Sequence, residues 1–96
     1  MHQDRYVWDD DKYFINLKKH GVTFDEATSV FDDYNALYFV DEKHSDNEER
    51  FVVIGMSKHL NTLVVCHCYR NGDVLIRIIS ARKATSQEQL LYRRRK

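Results

Sequence analysis

The sequence of 96 residues lacks the features that mark several classes of protein. No apolar run approaches the roughly 20 residues that a membrane-spanning helix needs, and the first residues lack the charged-then-apolar layout of a signal peptide. There is no proline, and the two cysteines, Cys66 and Cys68, have a spacing that suits neither a local disulfide nor a zinc site. We therefore expect a cytoplasmic protein with reduced, structural thiols and no bound metal.

The chain also lacks the short motifs of familiar enzyme classes. It has no phosphate-binding glycine loop, no Gly-x-Ser-x-Gly elbow and no His-Glu-x-x-His zinc motif, so no cofactor is predicted. The formal net charge of zero argues against indiscriminate binding to nucleic acid. Acidic residues nevertheless dominate up to Arg50, and basic residues dominate from Arg70 to the tail at 93–96. That tail is either a frayed, solvated terminus or an arm that attracts phosphates.

The apolar and turn-forming residues predict one α+β domain over residues 1–96. An apolar content of 43% is enough for a single core. Asp9 and Gly21 bound a first helix, and Thr23 with Glu26 forms the capping box of a second. The predicted order is β-α-α-β-β-β-β-α, with helices packed on an antiparallel sheet. We expect strands over 6–8, 36–40, 51–57, 63–70 and 74–80, and a last helix that begins at Thr85 or Ser86.

The dipeptide Asn71-Gly72 predicts a two-residue hairpin turn between the last two strands. In that register Arg70 pairs with Asp73, and Cys66 lies opposite Arg77. One face of the hairpin is then apolar and suited to lie under the helices, whereas the other carries both arginines among small and apolar residues. The two guanidinium groups either face a phosphate or form ordinary ion pairs, with Asp73 available to Arg70.

Two histidines are candidates for proton transfer. His67 lies within an apolar strand and is either a hydrogen-bonded core residue or a catalyst. A regular ladder places it on the opposite face from Arg77, so the two can serve one site only if a bulge intervenes. His20 ends the first helix, where it either caps the helix or takes part in acid–base chemistry. The residues alone predict a sheet face that can bind an anion and do not name a reaction.

The motifs along the chain nevertheless form a recognisable succession. In order they are Trp8-Asp9, Lys12, Asn16, Lys19-His20-Gly21-Val22, Phe24, Glu26-Ala27, Val30-Phe31-x-Asp33, Asp41-x-x-His44, Glu48-Glu49-Arg50, Ile54-Gly55-x-Ser57, Leu63-Val64-Val65, Arg70, Ile76-Arg77-Ile78-Ile79-Ser80-Ala81-Arg82-x-Ala84, Glu88 and Tyr92. This succession closely resembles the BrnT toxin family over about residues 8–92. Two positions depart from the family pattern: Tyr34, where many relatives have proline, and Cys68, where relatives usually have threonine.

The resemblance implies a RelE-like fold and a ribonuclease toxin of a type II toxin–antitoxin system that stops translation by cleaving RNA. It also implies a BrnA-like antitoxin, whose own DNA-binding domain lets the complex repress its operon. The mechanism that fits such a fold is attack of a ribose 2′-hydroxyl on the adjacent phosphate without a metal. That reaction needs cations and a proton carrier. On this basis the cations are Arg70, Arg77 and Arg82, the preferred proton carrier is His20 with His67 as the alternate, and the RNA backbone is held by Lys19, Arg50, Arg93 and Arg94.

Other functions remain open at this point. The chain can be a non-cleaving structural subunit of a toxin–antitoxin repressor complex that binds DNA through its antitoxin. A stand-alone nucleic-acid-binding module is less favoured, because the sheet lacks aromatic stacking platforms for bases. Apolar stretches on the open sheet face would also suit a homodimer.

Overall fold

The computed structural model describes residues 5–45, 47–72 and 74–94. The predicted α+β class is confirmed, since three α-helices accompany a five-stranded sheet. None of the helices in this part of the chain is long and apolar enough to cross a membrane. The elements are β1 (Tyr6–Val7), α1 (Asp10–His20), α2 (Phe24–Thr28), β2 (Leu37–Val40), β3 (Phe51–Met56), β4 (Thr62–Arg70), β5 (Leu75–Lys83) and α3 (Ser86–Arg93), with single 3-10 turns at Ser29–Asp32 and Glu42–His44.

The sheet has the strand order β1-β5-β4-β3-β2. Strands β2 to β5 pair in antiparallel fashion, but β1 runs parallel to β5, with Tyr6 opposite Ile76 and Val7 opposite Arg77. The prediction of an antiparallel sheet is therefore wrong for this one pair. The paired residues Tyr6 and Ile76 are 70 positions apart along the chain, and a local pattern carries no information about a pairing of that kind.

The helices begin and end where their capping residues predict. The Asp9 side chain accepts a hydrogen bond from the Lys12 N–H at 3.2 Å, and Gly21 ends α1 with a φ of 70°. Thr23 caps α2 through the Glu26 N–H at 3.0 Å. These interactions are local, so residues three or four apart determine them. The Glu26 carboxylate accepts hydrogen bonds from Ser57 and Asn61 and not from the Thr23 N–H, so only one half of the predicted capping box forms.

The hairpin between β4 and β5 differs from its predicted register. Arg70 pairs with Leu75 and Cys68 pairs with Arg77, so residues 71–74 form a longer connection and the predicted pairing is wrong by two residues. Asn71 and Gly72 both have positive φ, but the turn that they start closes through the hydrogen bond from the Val74 N–H to the Asn71 carbonyl at 3.3 Å. Asp73 lies outside the described residues. A shift of two residues leaves the side chains of β4, and those of β5 up to Ile79, on their predicted faces.

The two faces of the sheet carry separate apolar clusters. The larger cluster packs against α1 and α2, and it contains Phe24, Val53, Leu63, Val65 and Ile78, among other side chains. A smaller cluster on the opposite face is covered by α3 and consists of Ile54, Val64, Ala84 and Tyr92, with Val52 and Met56 packed against it. Helix α3 therefore covers one part of the second face and leaves the rest open. We call this uncovered part the open face.

Candidate active site

A groove of about 310 Å³ lies on the open face. Strands β3, β4 and β5 form its floor, and the segment between β2 and β3 forms a wall. The groove is lined by an aspartate, a histidine and two arginines, together with apolar and small polar side chains of the sheet. They are Asp41, His44, Arg50, Val52, Val64, Cys66, Ile79, Ser80 and Arg82.

Backbone and hydroxyl hydrogen bonds close the wall segment at its base. The Asp41 N–H donates to the Arg50 carbonyl at 2.8 Å, which joins the two ends of the segment. The Ser45 hydroxyl donates to the Asp41 carbonyl at 2.6 Å and accepts from the Arg50 N–H at 2.9 Å. The segment is therefore braced by its own residues, and this brace places Asp41, His44 and Arg50 beside the sheet.

Asp41 and His44 form a carboxylate–imidazole pair at the groove. Nδ1 of His44 lies 2.9 Å from Oδ2 of Asp41, and the 3-10 turn between them puts both side chains on one side. The Asp41 side chain is 17% exposed and that of His44 is 63% exposed. When the ring is neutral, the carboxylate favours a proton on Nδ1 and leaves the lone pair on Nε2. His44 is thereby oriented to accept a proton from a ligand in the groove.

Arg82 is held at the groove by α3. Its guanidinium donates two hydrogen bonds to Glu88, at 2.7 and 2.9 Å. These bonds are the main cause that lowers the pKa of Glu88 to about 2, and they raise the pKa of Arg82. Glu88 also accepts the Thr85 N–H at 2.8 Å within the capping box of α3. The start of α3 therefore sets the position of a groove arginine.

Arg50 differs from Arg82 in its surroundings. Within residues 5–45, 47–72 and 74–94 its guanidinium has no ion-pair partner. It lies near the thiol of Cys66, which is also in the groove and whose pKa is raised by burial. Arg50 is thus a cation available to an anionic ligand, and Cys66 is a neutral thiol at neutral pH.

Arg70 and Arg77 lie on the open face but do not line the groove. Arg70 forms an ion pair with Glu48 at 3.2 Å, while Asp73, the partner that the sequence suggested, lies outside the described residues. Arg77 lies opposite Cys68, which is almost completely buried and has a thiol pKa raised chiefly by that burial. Cys68, where relatives usually have threonine, is therefore a buried thiol that lies opposite Arg77 in the sheet.

His67 lies on the other face, inside an aromatic cage. The side chain is fully buried, and its ring centroid is 4.8 Å from that of Phe31 and 5.4 Å from that of Tyr69. Nδ1 contacts the Val65 carbonyl at 3.3 Å, and Nε2 has no partner within the described chain. Burial lowers the pKa of His67 to about 4. The structure therefore does not bring His67 together with the arginines, although β5 does contain a bulge.

The predicted RNA-binding residues are distributed over several places. Lys19 and His20 line a second groove of about 340 Å³, which adjoins the first at Ile79 and Ser80. Arg93 and Arg94 are exposed at the end of α3, and the tail residues 95–96 lie outside the described residues. The first groove thus contains Arg50 and Arg82, while Lys19 and His20 lie next to it.

No role was predicted for His44 or Asp41, although both occur in the motif Asp41-x-x-His44. A spacing of three residues on a helical turn brings an aspartate and a histidine within hydrogen-bond reach, and this was the available signal. The position of the turn beside Arg82 depends on the tertiary fold. The described residues contain no cluster of three or more His, Cys, Asp or Glu side chains that could hold a metal ion.

Fold and groove together define a small α+β protein with a histidine and arginine site on an open sheet face. The model of the family "Ribonuclease toxin, BrnT, of type II toxin-antitoxin system" matches residues 8–88. The chain therefore belongs to the BrnT family of ribonuclease toxins, and this family implies an antitoxin as partner.

A solved structure agrees with this assignment at the level of the fold. The crystal structure of the Brucella abortus ribonuclease toxin BrnT is similar to this chain, with a TM-score of 0.66 and 23% sequence identity. The match covers 88% of this chain and 100% of that one. Among curated protein sequences, no significant match was found.

Proposed function

We propose that this chain, acting as one toxin domain over residues 1–96 with a RelE-like fold, cleaves RNA in the open-face groove without a metal. The ribose 2′-hydroxyl attacks the adjacent phosphorus, the bond to the 5′-oxygen breaks, and the products are a cyclic phosphate and a free 5′-hydroxyl. The observation that carries the proposal is the presence of the Asp41–His44 pair and two arginines, Arg50 and Arg82, in one groove. The RNA-cleaving family supports the same assignment.

Each side chain has a role that follows from its chemistry. Nε2 of His44 accepts the proton of the 2′-hydroxyl, and Asp41 stabilises the imidazolium that forms. Arg50 and Arg82 balance the charge that develops on the phosphate oxygens, and Glu88 keeps Arg82 in place. His20, from the adjoining groove, is the candidate donor for the departing 5′-oxygen. His67 has no role in this proposal because it is buried on the opposite face.

The remaining arginines of the open face belong to binding rather than to bond cleavage in this proposal. Arg70 and Arg77 extend the cationic surface along β4 and β5 away from the groove. Arg93 and Arg94 are exposed at the end of α3, and in this proposal they contact RNA phosphates through their charge. Substitution of these four residues should therefore affect RNA affinity more than the rate at saturation.

Variants of the groove test the proposal directly. Purified His44→Ala and Arg82→Ala proteins should each cleave single-stranded RNA about 10² to 10⁴ times more slowly than the wild type. His59→Ala removes an exposed histidine that does not line the groove, and it should cleave normally. Product ends are read by their sensitivity to phosphatase and kinase. Full activity in folded His44→Ala and Arg82→Ala proteins would remove this groove from consideration.

The family supports a proposal about the partners of the chain. We propose that a BrnA-like antitoxin neutralises the toxin in the cytoplasm. We further propose that the complex contains a toxin homodimer and contacts operator DNA through the antitoxin. If the chain were instead a non-cleaving structural subunit of that complex, its induction without antitoxin would neither arrest growth nor shorten messenger RNA. A ribonuclease would do both, and His44→Ala would abolish both.

A further inference from the structure

The edge of β5 creates the second groove. Strand β1 covers β5 only as far as Arg77, and α1 lies along the edge beyond that point. Buried Asn16 of α1 takes the place of a neighbouring strand, because its amide donates to the Ala81 carbonyl at 2.8 Å and accepts from the Ala81 N–H at 3.2 Å. This double hydrogen bond holds the helix against the strand. The groove lies beside it.

The side chains that the structure describes in this groove carry positive charge and include no carboxylate. They are Lys12, Ile15, Asn16, Lys19, His20, Ile79 and Ser80. Lys12 and Lys19 are exposed, and neither has an ion-pair partner in the described part of the chain. Lysines arranged in this way on a concave surface attract phosphate groups.

The two grooves adjoin one another. Both are lined by Ile79 and Ser80, which lie at the bulge of β5. A ligand that leaves the His44 groove past these two residues enters the lysine groove without crossing the apolar core. Among the described lining residues neither groove has a Phe, Tyr or Trp side chain. A ligand on this path is therefore held through its backbone and not through stacked bases.

From these observations we infer that the lysine groove, lined by Lys12 and Lys19, is a subsite for the phosphates that neighbour the cleaved bond in single-stranded RNA. The inference rests on the proposed function, which places the reacting phosphate in the His44 groove. The strand runs over the bulge of β5, with one phosphate beside Arg82 and the next ones beside the two lysines. This subsite tolerates different base sequences because its contacts are with phosphates.

Binding of RNA that cannot be cleaved tests the subsite without relying on catalysis. The probes are a 2′-O-methyl octanucleotide of mixed sequence and the 2′-O-methyl dinucleotide, each with a fluorescent label for anisotropy. We compare the wild type with Lys12→Ala/Lys19→Ala over a range of salt concentrations. The matched control is Lys18→Ala, which removes an exposed lysine of the same helix that does not line the groove.

The double variant should bind the octanucleotide roughly tenfold more weakly at low salt. The slope of log Kd against log salt should fall by about 1.4, because each phosphate contact of a single strand contributes about 0.7. Its affinity for the dinucleotide should change by less than about twofold, since one phosphate fills only the first groove. Lys18→Ala should retain the wild-type slope, and Lys12→Arg/Lys19→Arg should restore it.

The outcomes separate this inference from the proposed function. If the double variant has the same salt slope as Lys18→Ala, or if the octanucleotide binds no better than the dinucleotide, the subsite does not exist. Cleavage of the unmethylated octanucleotide is measured in parallel. A protein that shows the slope change but cleaves no RNA keeps the phosphate subsite and loses the catalytic proposal. A protein that cleaves RNA but shows no slope change loses only the subsite.

Discussion

The buried imidazole of His67 should make the stability of this protein depend on pH in a defined range. Its pKa in the folded protein is about 4, compared with an ordinary value of 6.5, because the aromatic cage excludes water from the ring. Between these two values the unfolded chain binds a proton that the folded protein does not bind. The contribution of His67 to the free energy of unfolding is therefore fully present above pH 6.5 and is lost progressively as the pH falls toward 4.

The size of the loss follows from the two pKa values. With 6.5 for the unfolded chain and about 4 for the folded protein, His67 lowers the free energy of unfolding by about 2 kcal/mol between pH 8 and pH 5. Glu88, whose pKa is about 2 in the folded protein, contributes mainly below pH 4.5. An experiment that stops at pH 5 therefore keeps the contribution of Glu88 out of the measured difference.

Urea unfolding at pH 8 and pH 5 measures this difference. The midpoint of the wild type should fall by about 1 to 2 M urea, given a slope of about 1 to 2 kcal/mol per M for a domain of this size. His67→Phe places an apolar ring in the cage, and His67→Leu is a smaller alternative in case the larger ring does not fit. Both should remove most of the pH effect, whereas His59→Gln should keep it. An unchanged pH effect in both His67 variants would refute the assignment.

Two further variants test interactions that hold the site together. Glu88→Gln should lower the free energy of unfolding at pH 7 by about 1 kcal/mol, which is less than the full pKa change implies because Glu88 and Arg82 are 26% and 38% exposed. It should also reduce the loss of stability that the wild type shows as the pH falls from 4.5 to 2. Equal urea midpoints for the two proteins at pH 7 would contradict this. Asn16→Leu should cost about 2 to 4 kcal/mol, because it leaves the Ala81 N–H and carbonyl at the edge of β5 without partners. If Asn16→Leu lowers the free energy of unfolding no more than the exposed substitution Ile15→Ala does, the edge of β5 does not need the Asn16 amide.

Local features of the fold could be predicted from the sequence, and long-range ones could not. Gly21 and the N-cap residue Thr23 mark helix ends through contacts within one turn. The hairpin register depends on how two strands pack in the whole sheet, so Asn71-Gly72 indicated the turn but not its length. The two faces were still separated correctly, because an error of two residues does not change the face of a side chain.

The candidate site shows the same division. The resemblance to BrnT toxins selected Arg82 and His20, but it did not show that they lie in two adjoining grooves. No role was predicted for His44, because its position beside β5 depends on the braced segment between β2 and β3. Its partner in the groove, Arg82, lies almost forty residues away along the chain. Only the sheet register brings a turn and a strand together over that separation.

The bulge of β5 explains why Arg82 can belong to the open face at all. Arg77 and Arg82 are five positions apart, so a regular strand would point them to opposite sides of the sheet. His67 pairs with Ile78 while Cys66 pairs with Ser80, which leaves Ile79 as an extra residue and reverses the alternation. Ala81 then packs in the core and Arg82 reaches the groove.

The same extra residue accounts for the position of the second groove. Ile79 and Ser80 both face the ligand side because the bulge breaks the alternation there, and they are the two residues that the grooves share. Asn16 holds Ala81 immediately after the bulge, which keeps α1 and its lysines next to it. A single irregularity in one strand therefore places an arginine beside His44 and joins the grooves through which we propose that RNA passes.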